Sequence, residues 1–237
     1  MSENKNSGGF KKYFTMSFDD GVEQDKRVIA LMKQYGLKGT FNLSAGLFGK
    51  HHRLAKISRI PRDEILQVYD GFEVASHGYK HEMFKYMSKA KIEKSLSQDI
   101  QELSDLMGYK IVGHGYPYDM HTRAGEAYLR NNNMLYARKV LGKGLQFKFP
   151  ENPFKYIATC HFNAKNILEL FEQFIEAEPV NENLLFMTWG HGYELDVGFR
   201  PCPEPQLEQI FSKIAGQKDI IYCTNREAFE AAESTEA

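Results

Sequence analysis

Short apolar runs alternate along the chain with segments whose apolar residues recur every three or four positions. The runs Tyr13–Phe18, Gly39–Leu43 and Leu184–Trp189 have the length and residue types of buried β-strands. Ser88–Met107 has the clearest helical pattern, because its apolar residues form one stripe, its serine can cap the first turn and Gly108 follows its end. This alternation over nearly the whole chain predicts a parallel α/β architecture.

The same criteria predict the remaining elements. Further strands are expected at Phe72–Ala75, Lys110–Val112, Met134–Ala137, Tyr156–Thr159 and Asp219–Cys223. Further helices are expected at Val22–Tyr35, Arg62–Tyr69, Ala164–Ala177, Glu204–Ile214 and Arg226–Ala232. The irregular stretch Gly142–Pro153 is predicted to be a loop over the site, and residues 1–10 a flexible N-terminus. The 237 residues are predicted to form a single catalytic domain.

Composition narrows the class of partner. A formal net charge of -1 gives no reason to expect nucleic acid or an acidic membrane surface. The polar N-terminus has no apolar signal segment, and no stretch approaches the roughly 20 apolar residues of a membrane span. The three cysteines lack metal-type spacing and favour reduced thiols over disulfides. We therefore expect a cytoplasmic protein without a membrane or nucleic-acid partner, while its oligomeric state stays open.

Candidate catalytic residues follow three of the predicted strands. They are Asp19 and Asp20 in SFDDG, His77 and His81 in SHGYKH, and His191 in WGHGYE. Barrel-like folds place active-site residues at the C-terminal ends of their strands, so these side chains are expected to converge. Histidines four residues apart lie on one face of a helical turn and can bind one ion, although a solvated loop is the alternative. An Asp pair after a strand can also serve only as a turn.

Four motifs together resemble those of a known family. SFDDG, SHGYKH, YPYD and WGHGYE, in this order and spacing, resemble the polysaccharide deacetylases, carbohydrate esterase family 4, over about residues 13–225. The resemblance implies a distorted (β/α) barrel of seven or eight strands. It also implies a divalent ion, usually zinc, and hydrolysis of an acetyl group from a sugar. Two histidines and one carboxylate also suit cobalt, nickel and manganese.

The resemblance assigns a role to each motif residue. The implied metal ligands are Asp20, His77 and His81. Asp19 corresponds to the general base that deprotonates metal-bound water, and His191 to the general acid that protonates the departing amine. Tyr118 corresponds to the residue whose backbone N–H stabilises the oxyanion.

One family residue is missing. The third motif of the family usually reads Arg-x-Pro-Tyr, and its arginine orients the catalytic aspartate. Here the stretch is Gly115-Tyr116-Pro117-Tyr118, without an arginine. We hypothesise that Arg138, at the end of a predicted strand, holds Asp19 instead. The alternative is a surface arginine beside Lys139.

Three aromatic or imidazole side chains are candidates for substrate binding. They are Trp189, the only tryptophan, with Tyr116 and His161. Trp189 could form the wall of an acetyl pocket or pack in the core. Glu194 is a candidate to orient His191.

These residues predict a metal-dependent deacetylase that acts on an N-acetylated sugar, oligosaccharide or small acetylated amine. Two alternatives remain at this stage. One is a hydrolase of a cyclic imide or ureide, like the allantoinase-like relatives that often lack a metal. The complete set of metal ligands argues against this alternative, because a metal-free enzyme does not need them. The other is a carbohydrate-binding protein that has lost catalysis, which the missing arginine favours and the retained Asp19 disfavours.

Overall fold

The computed structural model of the chain describes residues 9–52, 57–142, 147–198 and 201–236. Residues 1–8 of the predicted flexible N-terminus lie outside this part, as do residues 143–146 of the predicted loop. The strands are β1 (Lys12–Asp19), β2 (Gly39–Leu43), β3 (His51–His52), β4 (Ile57–Ser58), β5 (Glu73–Ser76), β6 (Gly113–Gly115), β7 (Tyr136–Lys139), β8 (Tyr156–Ile157), β9 (Cys160–His161), β10 (Leu184–His191) and β11 (Ile220–Tyr222).

The helices lie between these strands. They are α1 (Asp25–Gln34), α2 (Ile65–Val68), α3 (Lys89–Met107), α4 (Arg123–Asn131), α5 (Ile167–Glu176), α6 (Glu204–Ile214) and α7 (Asn225–Glu236). In the described part of the chain, no helix combines the length and the apolar character needed to cross a membrane.

The main sheet is parallel and nearly closes on itself. Its order is β8-β7-β6-β5-β2-β1-β10-β9, and β11 pairs with the first residues of β1. The two edge strands are consecutive in the chain. Between them, the amide of Ala158 donates to the carbonyl of Lys139 (3.2 Å) and the amide of Thr159 to that of Met187 (2.8 Å). One extended segment thus connects both edges, which confirms the predicted distorted (β/α) barrel.

Three sequence predictions differ from the structure. Helix α4 was not predicted, because its apolar face is short: Leu129 is buried, and only Ala124 and Tyr128 pack beside it against the core. The strand expected at Lys110–Val112 lies three residues later, at β6. Helix α1 begins at Asp25 rather than near Val22. The Asp25 carboxylate accepts a hydrogen bond from the Val22 amide (3.1 Å), and this bond holds residues 22–25 in a turn before the helix.

Packed aromatic rings hold the central strands. Phe14 of β1 stacks on Phe186 of β10 with ring centroids 5.6 Å apart, and Phe171 and Phe174 of α5 pack against Phe186. The parallel register that results pairs Asp19 with His191 at the C-terminal ends of β1 and β10. Packing therefore brings two candidate catalytic residues, 172 positions apart in sequence, to one end of the barrel.

Asp25 is a buried carboxylate behind this end of the barrel. Its Oδ2 accepts hydrogen bonds from the Val22 amide and from the Tyr69 hydroxyl (2.8 Å). No described group bonds to its Oδ1, which faces the backbone of Gly192, next to His191. A Cβ at Gly192 would lie 2.1 Å from that oxygen, so only glycine fits there. Burial raises the pKa of Asp25 to about 8.

Asp25 should make the stability of the protein depend on pH. Because its folded-state pKa lies above that of an unfolded aspartate, its stabilising contribution is complete below about pH 4 and is lost as the pH rises through about 8. Relative to Asp25→Asn, the wild type should lose up to about 1.4 kcal/mol of unfolding free energy per pH unit between pH 5 and 8. Urea unfolding across this range measures the difference.

The exposed Asp63 provides the matched control, because Asp63→Asn should leave the pH dependence unchanged. Parallel stability curves for wild type and Asp25→Asn would show that Asp25 is ionised in the folded protein.

Candidate active site

The Asp19-Asp20-Gly21 turn places two carboxylates at the end of β1. Asp19 is the last residue of the strand, and Asp20 has a φ of +82°, a conformation that costs free energy for any residue except glycine. The Asp20 amide donates to the carbonyl of Asn42 on β2 (3.1 Å), which fixes the turn. The reversal lets the two adjacent side chains point to different partners.

Asp20, His77 and His81 form a candidate metal site. One ligand atom from each residue lies within 4.8 Å of the other two. The histidines are not on a helical turn, as the sequence reading had supposed. They lie in a loop with positive φ at Gly78 and His81 that folds the two rings to within 4.8 Å. The i, i+4 argument was therefore wrong in its geometry, although the two imidazoles do meet.

The chemistry of these residues fits a divalent ion. His77 Nδ1 lies 2.7 Å from the carbonyl of Gly115, which leaves Nε2 for a metal. His81 Nε2 lies 3.8 Å from Asp20 Oδ1, close to the separation of about 3.4 Å expected for two ligands of a tetrahedral zinc. Burial lowers the pKa of His77, and burial together with His77 lowers that of His81 to about 4. Both rings are therefore neutral near pH 7, as metal ligands must be.

Asp99 of α3 supports the loop that carries His77. Its carboxylate accepts hydrogen bonds from the Ser76 hydroxyl (2.7 Å), the His77 amide (3.1 Å) and the Ala45 amide (2.8 Å). Sequence reasoning missed Asp99. The available signal was a carboxylate between Leu96 and Leu103 on the apolar stripe of α3.

Asp19 and Arg138 form a fully buried ion pair. The guanidinium nitrogen Nη2 of Arg138 lies 2.5 Å from Asp19 Oδ1, and Asn42 Nδ2 donates to the same oxygen (2.8 Å). Arg138 Nε donates to the Ser17 hydroxyl (3.1 Å), so the guanidinium spans the barrel interior from β7 to β1. Burial raises the pKa of Asp19, but the charge and hydrogen bond of Arg138 together with the nearby His77 and His191 outweigh it and lower the pKa to about 2. Arg138 therefore lies inside the barrel and not on the surface.

His191 is connected to a second imidazole through a carboxylate. His191 Nδ1 lies 2.7 Å from Glu194 Oε1, and His161 Nε2 lies 2.8 Å from Glu194 Oε2, close enough for an ion pair but not aligned as a hydrogen bond. Burial lowers the pKa of His191, but the hydrogen bond to Glu194 and nearby carboxylates raise it above the usual value. At neutral pH a substantial fraction of His191 therefore carries a proton.

These groups open into one cleft of about 450 Å³. Trp189, Tyr116 and Tyr118 line it together with both aspartates, the two candidate histidine ligands and His191. The Tyr118 backbone has a φ of +52°, and its side chain is 55% exposed at the rim. The Tyr116 hydroxyl donates to the carbonyl of Phe154 (3.1 Å), so its ring faces the cleft while its polar group does not. His161 is not one of the described residues that line the cleft. Its ring instead packs against that of Trp189.

Arg59 is a cleft residue that sequence reasoning did not select. It follows β4, and its guanidinium nitrogen Nη2 lies 3.1 Å from Asp20 Oδ1. In the sequence it stands in a polar stretch without motif or periodicity, so no local pattern marked it.

Comparison with known proteins shows several structures with the same fold. A Mycobacterium smegmatis protein described as a polysaccharide deacetylase superposes with a TM-score of 0.65 at 17% identity, covering 96% of this chain and 92% of its own. An allantoinase superposes with a TM-score of 0.70 at 13% identity, covering 95% and 91%. A family 4 pseudoenzyme from Bacillus anthracis gives 0.55 at 13% identity, covering 92% and 66%. At these identities the likeness establishes the fold alone.

In a comparison with curated protein sequences, none matches this chain. The family model for polysaccharide deacetylase matches residues 7–137. That span runs from β1 into the first residues of β7 and includes both aspartates and the histidine pair, and Arg138 is the first residue after it. Because it covers more than half of the 237 residues, the chain belongs to the polysaccharide deacetylase family.

Proposed function

We propose that this protein is a metal-dependent hydrolase that removes an acetyl group from an N-acetylated sugar, oligosaccharide or small acetylated amine. The observation that carries the proposal is the arrangement around the cleft. The candidate ligands Asp20, His77 and His81 lie beside the buried Asp19, and His191 lies at the end of the neighbouring strand. Family membership supports a hydrolase, and this donor set suits zinc best while allowing cobalt, nickel or manganese.

A divalent ion bound by these ligands would polarise the acetyl carbonyl and make a water molecule acidic enough to attack near pH 7. Asp19 would accept the proton of that water. Its Oδ1 is occupied by Arg138 and Asn42, which leaves Oδ2 to receive the proton. Arg138 thus holds the carboxylate ionised and oriented, the role that the family assigns to an arginine elsewhere.

His191 would protonate the amine as it leaves. An amide nitrogen is a poor leaving group unless it is protonated, so this step needs an acid near the scissile bond. Glu194 occupies His191 Nδ1 and raises its pKa, which leaves a protonated Nε2 for the substrate. We assign His161 to the positioning of Glu194, since their side chains are 2.8 Å apart. That assignment replaces the contact with substrate that the sequence had suggested for His161.

The backbone N–H of Tyr118 would stabilise the oxyanion, as the family resemblance implies. Trp189 and Tyr116 would form the wall that receives the acetyl group and the adjacent sugar ring, because both rings line the cleft.

Two of the structural neighbours suggest alternative functions. The allantoinase has the same fold, so opening of a cyclic ureide is the second candidate. The pseudoenzyme shows that the fold also occurs without catalysis. The complete ligand set, the ionised Asp19 and the Glu194–His191 pair favour an active metal-dependent enzyme over both.

Acetate release from N-acetylated mono- and oligosaccharides tests the proposal. The zinc- or cobalt-loaded protein should release acetate, and chelation of the ion should abolish the release because the attacking water is then no longer activated. Asp19→Asn removes the base and should lower kcat by about 10²–10⁴-fold. Asp70→Asn, at an exposed position, is the matched control and should keep full activity.

The contrary results are distinct from one another. Hydrolysis of allantoin that survives chelation would favour the ureide hydrolase. Sugar binding without acetate release, in a protein that holds a stoichiometric ion, would favour the inactive binder.

Arg138 should act through Asp19, and a double-mutant cycle measures this. Arg138→Gln should lower kcat by about 10²-fold or more with little change in KM, because the base loses its orientation. On the Asp19→Asn background the same change should have almost no further effect. Arg138→Lys, which keeps the charge, should recover part of the activity. Lys139→Gln, on the next residue of β7, is the control. Independent, multiplicative effects of the Arg138 and Asp19 changes would contradict this role.

A further inference from the structure

Arg59 lies beside the candidate metal ligands. Its side chain is only 11% exposed, and its guanidinium nitrogen Nη2 lies 3.1 Å from Asp20 Oδ1. Arg59 lines the same cleft as Trp189 and His191. The roles proposed above leave this cation without a function.

The backbone holds Arg59 rigidly against the aspartate turn. Its amide donates to the carbonyl of Lys50 (3.1 Å), and Arg59 forms an antiparallel bridge with Val22. The next amide, of Ile60, donates to the carbonyl of Gly21 (3.0 Å). These contacts fix the backbone of Arg59 beside the aspartate turn, and from there its guanidinium reaches Asp20.

The hydrogen-bonding capacity of Arg59 is incompletely used. A guanidinium has five N–H donors in a planar fork, and a buried donor without an acceptor costs free energy. Among the described residues, Arg59 Nε is buried and has no acceptor. The edge formed by Nε and one terminal nitrogen matches the two oxygens of a carboxylate or phosphate.

The charges of the site also favour an anion here. A divalent ion bound to Asp20 would share the carboxylate that Arg59 now contacts, so two cationic groups would compete for one negative charge. The neighbouring Asp19 is already paired with Arg138 and cannot balance Arg59. An oxyanion on the substrate would neutralise the charge of Arg59 when an ion occupies Asp20.

We propose that Arg59 selects an acetylated substrate that carries an oxyanion, a carboxylate or a phosphate, near the acetylated nitrogen. This inference rests on the proposed function, and it adds a substrate class to it. Arg59 is then a specificity residue that binds the anionic group, while the acetyl group lies toward Trp189.

Binding can be measured without catalysis, because Trp189 is the only tryptophan and lines the cleft. Quenching of its fluorescence should report three probes: neutral N-acetylglucosamine, N-acetylmuramic acid with a carboxylate, and N-acetylglucosamine 6-phosphate. With zinc bound to Asp19→Asn, at least one anionic probe should bind about 10- to 100-fold more tightly than the neutral sugar, the range of a charge-assisted hydrogen bond. The tighter of the two anions identifies the source of the oxyanion.

Substitutions at Arg59 separate specificity from structure. Arg59→Gln should abolish the preference for the anionic probe while affinity for the neutral sugar and zinc content are retained, and Arg59→Lys should keep part of it. Arg62→Gln, three residues along with a side chain 52% exposed, is the matched control and should bind all probes as before.

Any of three binding results would overturn the proposal: equal affinity for charged and neutral probes, a preference that survives in Arg59→Gln, or no binding of either anion. Loss of zinc with equal loss of all probes in Arg59→Gln would also overturn it, since Arg59 would then only hold Asp20. Failure of the proposed function is distinguishable, because it appears as anion-selective binding without acetate release by the wild-type protein.

Discussion

The buried ion pair between Arg138 and Asp19 is the interaction on which the site depends. Strands β7 and β1 are separated in the sheet by β6, β5 and β2, so the guanidinium crosses the barrel interior to reach the carboxylate. A buried charge without a partner would destabilise the fold strongly, and this pair therefore requires the barrel to close correctly. The same contact keeps Asp19 ionised. Fold and chemistry thus share one interaction.

Around this pair, buried carboxylates differ in charge state according to their neighbours. Asp19 has an arginine beside it and its pKa is about 2. Asp25 and Asp99 receive only neutral hydrogen-bond donors, and burial raises their pKa values to about 8 and about 7. The carboxylate with the lowered pKa, Asp19, faces the cleft. Asp25 and Asp99, whose raised pKa values let them keep a proton to higher pH, support the loops behind the cleft. This division concentrates negative charge at the cleft, beside the candidate metal ligands.

The fold by itself does not choose a reaction. The same barrel occurs in a protein described as a polysaccharide deacetylase, in an allantoinase and in a pseudoenzyme. Function must therefore be argued from the residues at the strand ends. In this chain Asp19, the proposed base, has an arginine partner that comes from a strand outside the usual motif, and a second arginine, Arg59, lies next to the candidate metal ligand Asp20. We propose a role in catalysis for the first arginine and a role in substrate selection for the second.

The sequence alone determined the strand and helix alternation, the barrel class, and the motif residues at the strand ends. Apolar periodicity and short motifs are local, so they can be read without knowledge of the fold. It missed α4 because the apolar face of that helix is only a few residues long. It misjudged the loop of His77 and His81 because two positive φ values there leave no periodic pattern in the sequence.

Only the tertiary structure decided which distant side chains meet. Asp99 reaches the His77 loop from α3, Arg59 reaches Asp20 from the position just after β4, and Asp25 contacts Gly192 from α1. Asp25 and Gly192 are far apart in sequence, and the partners in the other two pairs belong to different elements, so only the way the barrel closes brings each pair together. The sequence could propose that Arg138 holds Asp19, but strand order and register place the two groups in contact.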